Sequence, residues 1–191
     1  MKIKIFSIFL LVLLAMPSSQ AVSLSDVVLP ETLDVEDQTL QLNGWGVRKK
    51  FFLKLYVGAL YLPQKSSDAN AILNSNSPIA IRLHILSKFV SAKKMEKAIK
   101  EGFAKATAGN TASIQHEIDQ FLAFFRDNVS EDDIFDIAYA PTLGVRVVMN
   151  GRELGVISGN REAFRKALFG IWLGADPVQE DLKAAMLGKS S

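Results

Sequence analysis

One arginine in a run of aromatic and aliphatic residues is the first position in this sequence that could do chemistry. Arg48 lies in the segment 44–62, which reads GWGVRKKFFLKLYVGALYL. A guanidinium group is permanently charged, so placing it among strand-forming residues is costly unless water, a partner or a ligand satisfies it. Arg48 is therefore the first residue to consider for a function.

Tyr56 is the second candidate, because strand periodicity relates it to Arg48. On an uninterrupted strand the two side chains share one face with Lys50 and Lys54. The Tyr56 hydroxyl could then meet a ligand held by Arg48, or it could simply reach water or the backbone from a half-buried ring. Arg48 itself either faces a ligand, or it is solvated beside the lysines or paired within the structure. A bend or bulge between Arg48 and Phe51 would reverse which face is buried.

The remaining polar residues form no catalytic or metal-binding motif. The chain has no cysteine and two histidines, His84 and His116, which excludes thiol chemistry and argues against a histidine-rich metal centre. No glycine-rich phosphate loop, nucleophile elbow or HExxH motif is present. We interpret His84 as an ordinary strand residue and Trp172 as part of a helical core stripe. No catalytic residue, metal or cofactor is predicted.

The first 21 residues have the pattern of a secretory signal peptide. Lys2 and Lys4 precede an aliphatic run, and the small-residue sequence PSSQA follows it, which predicts cleavage after Ala21. The apolar run is shorter than a bilayer-spanning helix needs, and no cysteine follows for lipid attachment. We expect a protein of the bacterial periplasm with no stable membrane anchor after cleavage.

Removal of the leader also changes the charge balance. The chain has 22 basic and 20 acidic residues, and two of the lysines lie in the leader, so the mature protein has 20 of each. A neutral protein offers no electrostatic case for nucleic-acid binding. Residues 22–191 are enough for a single domain with one sizeable core.

The elements that must position Arg48 follow from periodicity and turn signals. We predict strands at 39–42, 78–86 and 133–138, a turn at Asn43 and Gly44, and a long strand at 47–62 that bends at Gly58 or divides in two. Helices are predicted from Ser91, around 114–125, and at 161–173 with Asn160 as its cap.

The end of the chain carries a hairpin and a final helix. Strands at 145–149 and 154–157 flank Asn150-Gly151, a strong hairpin signal, and a last helix starts at Asp176-Pro177 and ends near Gly188. Together these elements predict an α+β domain in which helices cover one face of a mainly antiparallel sheet.

Three segments, in this order, resemble the chalcone isomerase-like superfamily in its bacterial secreted branch. They are the segment around Arg48 quoted above, YAPTLGVRVVMNGRELGVI, and FRKALFGIWLGADPVQEDLKAAMLG, and the resemblance runs from about residue 42 to residue 188. It implies an open-faced β-sandwich, a large antiparallel sheet packed under a helical layer.

The resemblance also implies a role for Arg48. Plant members include isomerases that close a chalcone to a flavanone, in which the matching arginine polarises a ketone, and plastid proteins in which it holds a fatty-acid carboxylate. Tyr56 stands where the enzymes have a threonine. Their helical tyrosine would fall between Ala104 and Thr111, where this chain has none. The catalytic set is therefore incomplete, which puts chalcone isomerase activity in doubt.

We therefore predict a secreted domain that binds a small apolar carboxylate or carbonyl ligand, resembling a fatty acid, through Arg48 and Tyr56. One alternative is an isomerase or intramolecular lyase, with Arg48 as electrophile and water or Tyr56 as proton relay. Another is a non-catalytic structural or interaction protein of the envelope. A pocket filled by Phe51, Phe52 and their core neighbours would favour that last alternative.

Overall fold

A seven-stranded antiparallel sheet dominates this computed structural model, which describes residues 21–24, 27–126, 129–159 and 161–189. The strands of this sheet follow one another in chain order, and an antiparallel pair, β1–β2, precedes them. The predicted leader, apart from Ala21, and the predicted cap Asn160 lie outside the described residues. The strands are β1 Ala21–Leu24, β2 Val27–Pro30, β3 Thr32–Val35, β4 Gln38–Lys50, β5 Leu53–Leu62, β6 Ile79–Ile85, β7 Ile134–Ala140, β8 Gly144–Met149 and β9 Arg152–Ile157.

The helices of the described residues pack on one face of this sheet, which confirms the predicted α+β class. They bury aromatic and aliphatic side chains such as Phe103, Phe121 and Phe164 against the strands. Strand β2 instead contributes Val27 and Leu29 to a smaller apolar cluster on the opposite face. The helices are α1 Ala69–Asn74, α2 Ala92–Ala106, α3 Gln115–Ala123, α4 Arg161–Leu173 and α5 Glu180–Met186, with a 3-10 turn Ala112–Ile114 before α3.

Most predicted elements are present where a strong local signal specified them. The Asn150-Gly151 hairpin joins β8 to β9, and both turn residues have positive φ, 51° and 79°, as a two-residue hairpin turn requires. Helix α4 spans the predicted residues. Helix α5 begins at Glu180 rather than at Asp176-Pro177. None of the helices in the described ranges is long and apolar enough to cross a bilayer.

The predicted turn at Asn43 and Gly44 is wrong, because β4 continues through both residues with only a bulge in its pairing to β5. The Asn43 side chain bonds the carbonyls of Ser66 and Met186 instead of closing a turn. The chain reverses at Phe51, whose φ is 56°.

The predicted 47–62 strand is consequently two strands folded into a hairpin. Strand β4 ends at Lys50, β5 runs from Leu53 to Leu62 without interruption at Gly58, and the two pair in antiparallel. The helix-facing side of this hairpin is where Arg48 lies.

Candidate ligand-binding site

Arg48 and Tyr56 are directly opposite each other across strands β4 and β5. Directly paired residues in adjacent strands project from the same face of a sheet. That face is the helix-facing one, since Tyr56 packs against the helical core and Arg48 contacts Gln179 at the start of α5. Both side chains are half-buried. The hairpin thus brings the two predicted ligand-binding residues together, and their binding of a ligand stays a prediction.

Gln179 is the residue that positions the Arg48 side chain. Arg48 Nη1 donates to Gln179 Oε1 at 3.1 Å and to the carbonyl oxygen of Lys49. The same Oε1 accepts from the Lys49 amide at 2.9 Å, and Gln179 Nε2 donates to the Val47 carbonyl at 3.4 Å. These partners are neutral, and none of the salt bridges within the described ranges involves Arg48. The charge of Arg48 is therefore left without a carboxylate among those residues.

Trp172 of α4 fixes the Tyr56 hydroxyl from the helical side. Its indole Nε1 donates to the Tyr56 oxygen at 3.1 Å. Burial of the phenol raises the pKa of Tyr56 to about 12, an effect that the Trp172 hydrogen bond and the Arg48 charge oppose. Tyr56 is consequently neutral near pH 7. Because Trp172 uses the oxygen as an acceptor, the hydroxyl proton of Tyr56 is left to donate to another group.

Two glycines of β4 allow α5 to lie against the site. A Cβ atom at Gly44 would stand 2.3 Å from the Ala185 carbonyl oxygen, and one at Gly46 would stand 2.8 Å from the Ala185 Cβ. Only glycine permits so close an approach of strand and helix. The glycine spacing before Arg48 is therefore what lets Gln179 reach the guanidinium.

Other residues singled out in the sequence lie away from this site. Phe51 and Phe52 are 90% and 91% exposed, so they do not fill it. His84 projects from the opposite face, with Nε2 3.7 Å from an Asp132 carboxylate oxygen, a neighbour that the sequence did not indicate. Within the described ranges no three His, Cys, Asp or Glu side chains group as metal ligands would.

Arg82 alternates with apolar residues along β6, a pattern typical of a solvated face, but its side chain is paired within the protein. Its Nε and Nη2 donate to the two carboxylate oxygens of Asp136 at 2.7 and 2.8 Å, across strands β6 and β7. Both side chains are largely shielded from solvent, so this bidentate pair is internal to the sheet. Cross-strand pairing of the two strands was the signal that could have identified it.

Sequence reasoning also missed the most buried cation of the described residues, Arg165 of α4. It is 1% exposed, and its two terminal nitrogens donate to the carbonyls of Ile72 and Leu73 at 2.8 and 2.9 Å. Its guanidinium carbon is 5.2 Å from the centre of the Tyr139 ring. Burial lowers the pKa of Arg165. These partners close the C-terminal end of α1, so Arg165 has a structural role.

Comparison with known proteins gives a family and a structural neighbour. A family model described as chalcone isomerase-like matches residues 21–188. The crystal structure of a fatty-acid binding protein from Arabidopsis thaliana has the same fold, with a TM-score of 0.69 at 13% sequence identity over 88% of this chain and 96% of that one. No curated protein sequence matches this chain.

Proposed function

Since this chain belongs to the chalcone isomerase-like family, we propose that it binds a small, largely apolar molecule whose carboxylate or carbonyl end is held by Arg48. Arg48 supports this proposal because its charge faces the helical layer and its described partners are neutral. An arriving carboxylate would complete the pairing that the protein leaves open.

Tyr56 adds a second donor beside Arg48. A neutral phenol whose oxygen is already engaged by Trp172 can donate its proton to the same ligand oxygen. The proposal places the apolar ligand body between sheet and helices, where aromatic and aliphatic side chains pack against one another, so these side chains must move apart to admit it. The Arabidopsis structure of the same fold is described as a fatty-acid binding protein, which favours a fatty-acid-like ligand here.

Two features argue against turnover with Tyr56 as a general base. A general base works best with a pKa near the working pH, and a pKa of about 12 makes this phenol a poor base near neutrality. The chain also lacks a tyrosine between Ala104 and Thr111, where the resemblance places one. Phe51 and Phe52 point to solvent, so these two rings do not fill the space beside Arg48.

The Arg48→Gln variant tests the proposal. Titration with palmitate should show binding weakened by about tenfold to a hundredfold, the value of one charge-assisted hydrogen bond. Hexadecanol, which has no carboxylate, should bind the parent and Arg48→Gln alike. The control Arg152→Gln removes an exposed arginine on the last strand and should leave palmitate binding unchanged. Equal palmitate affinity in the parent and Arg48→Gln would refute the anchor.

We also propose that residues 1–21 direct the protein to a bacterial periplasm and are removed there. The basic start, the aliphatic run and the small residues before Val22 support this. Mass spectrometry of protein from the periplasmic fraction should give Val22 as the first residue. An unprocessed chain confined to the cytoplasm would contradict the assignment.

A further inference from the structure

The tip of the β4–β5 hairpin presents two phenylalanine rings to solvent. Phe51 and Phe52 are 90% and 91% exposed, and Phe89, in the loop between β6 and α2, is 51% exposed. That loop runs beside the start of β5, where the Leu86 amide donates to the Leu55 carbonyl at 2.9 Å. All three rings therefore lie at the same end of the sheet. Large apolar side chains exposed together commonly mark an interaction surface.

Lysines accompany these rings in both segments. The segments 49–54 and 86–94 read KKFFLK and LSKFVSAKK, and neither contains an acidic residue. Their six lysines are all exposed, and Lys94 lies 5.9 Å from the centre of the Phe89 ring. We call these two segments the basic-aromatic end. The lysines are Lys49, Lys50, Lys54, Lys88, Lys93 and Lys94.

Acidic residues around this end lie outside the two segments. Glu131, Asp132 and Asp133 precede β7, on the far side of β6 from the hairpin. The Asp133 carboxylate accepts hydrogen bonds from the Ser130 amide and from the Asn150 side chain. Glu180 and Asp181 begin α5 on the helical side. The positive charge is thus concentrated at the β4–β5–β6 corner, where the exposed rings are.

We propose that the basic-aromatic end docks on the surface of a bilayer rich in anionic lipid. Lysines at such a surface are attracted to the negative headgroups, and aromatic rings beside them enter the boundary between headgroups and acyl chains. Charge complementarity selects an anionic surface. The projecting two-residue tip suits insertion into a soft layer better than a flat contact between proteins, which needs a broad complementary patch. This inference goes beyond the proposed ligand binding and does not depend on it.

Co-sedimentation of the purified chain with lipid vesicles tests the proposal. We expect binding to vesicles of phosphatidylcholine and phosphatidylglycerol, weaker binding to phosphatidylcholine alone, and release as salt is raised. The double variant Phe51→Ala/Phe52→Ala should lower the partition coefficient by about tenfold or more. The triple variant Lys49→Gln/Lys50→Gln/Lys54→Gln should lower binding to the anionic vesicles part of the way to the level of the neutral ones, since Lys88, Lys93 and Lys94 remain. All variants keep the same N-terminus, so its contribution is common to them.

Matched variants elsewhere on the surface serve as controls. Val28→Ala removes an exposed apolar side chain from β2, and Lys65→Gln/Lys166→Gln/Lys189→Gln removes three exposed lysines outside the basic-aromatic end. Both should bind vesicles as the parent does.

Three results would overturn the proposal. They are no sedimentation with anionic vesicles, an equal loss of binding in the test and control variants, and a lipid-independent dimer that Phe51→Ala/Phe52→Ala dissociates. The dimer would assign this end to a second copy of the chain, and analytical ultracentrifugation without lipid would detect it.

Discussion

Among the described residues, three arginines that are at least half-buried have three different kinds of partner. Arg82 is paired with the carboxylate of Asp136, and Arg165 donates to two backbone carbonyls beneath the Tyr139 ring. Arg48 has an amide and a carbonyl oxygen as its described partners and keeps part of its surface open to solvent. Of these three, Arg48 would interact most favourably with a charged ligand, because the other two guanidinium groups already bond a carboxylate or backbone carbonyls.

The raised pKa values of Tyr56 and Tyr61 predict a loss of stability at alkaline pH. Burial raises the pKa of Tyr56 and of Tyr61 from 10.0 to about 12. The folded state therefore holds these protons more tightly than the unfolded state does. Their contribution is fully present below pH 10 and is lost as the pH rises towards 12. The free energy of unfolding should fall by about 1 kcal/mol for each tyrosine by about pH 11.

Urea unfolding at a series of pH values measures this effect. Tyr56→Phe and Tyr61→Phe should each show a shallower decline above pH 10 than the parent, whatever their stability at neutral pH. A decline of the same steepness in the parent and both variants would assign alkaline unfolding to other groups. The ultraviolet absorbance of tyrosinate gives an independent record of the titration.

The site could be predicted from the sequence only where its residues are close along the chain. Arg48 and Tyr56 were related by strand periodicity, and the hairpin preserves that relation because it pairs them directly. Gln179 lies 131 positions from Arg48, and nothing local in its segment indicates the contact. The contacts of Gln179 and Trp172 depend on how the helices pack on the sheet. Hydrophobic periodicity indicates which face of a helix is buried, but not which residues that face contacts.

At the scale of elements, strong local signals predicted structure and weak ones did not. The Asn-Gly hairpin and the helical stripes of α2, α3 and α4 need only their own residues to be recognised. The Asn43-Gly44 pair has the same composition as a turn, but its glycine is required by helix α5 rather than by a reversal of the chain. In the sequence, an Asn-Gly pair that forms a turn looks the same as one whose glycine makes room for a packed helix. The two can be distinguished only once the position of that helix is known.

The approach of α5 to β4 gives a prediction about two glycines. Gly44→Ala should destabilise the protein by about 2–4 kcal/mol, since the added methyl group would collide with the α5 backbone. Gly58→Ala is the matched control. Gly58 lies under the same helix, but its added Cβ would make ordinary contacts at 3.5–3.6 Å. It should change stability by less than about 1 kcal/mol.

Thermal and urea unfolding of the two variants measure this difference. If Gly44→Ala is as stable as Gly58→Ala, α5 adjusts its position freely and does not hold Gln179 against Arg48. Palmitate titration of Gly44→Ala would then show whether the position of α5 affects ligand binding. A displaced α5 should alter binding even where the overall fold persists.

At the scale of the whole molecule, ligand binding should raise the stability of the entire domain. A ligand that binds only the folded state, present at a hundred times its dissociation constant, adds about 2.7 kcal/mol to the free energy of unfolding. For a chain of this size the midpoint temperature should rise by roughly 5–10 °C with palmitate. Differential scanning calorimetry measures the rise.

Differential scanning calorimetry also distinguishes palmitate binding through Arg48 from non-specific association of the palmitate chain. Arg48→Gln should show a smaller rise than the parent at the same palmitate concentration, and Arg152→Gln should match the parent. An equal rise in all three proteins would indicate that palmitate associates through its chain alone, with no role for the guanidinium.

The contact between Arg48 and Gln179 also bears on the order of events during synthesis. Its two residues are 131 positions apart, so the ribosome has made nearly the whole chain before Gln179 exists to orient the guanidinium. A contact between residues so distant in sequence carries a large loop-closure entropy cost and is slow to form. A nascent chain halted before α5 would carry Arg48 and Tyr56 but not the arrangement that relates them to α5. If Arg48 anchors a ligand as proposed, we expect loading of that ligand to follow the synthesis and docking of α5.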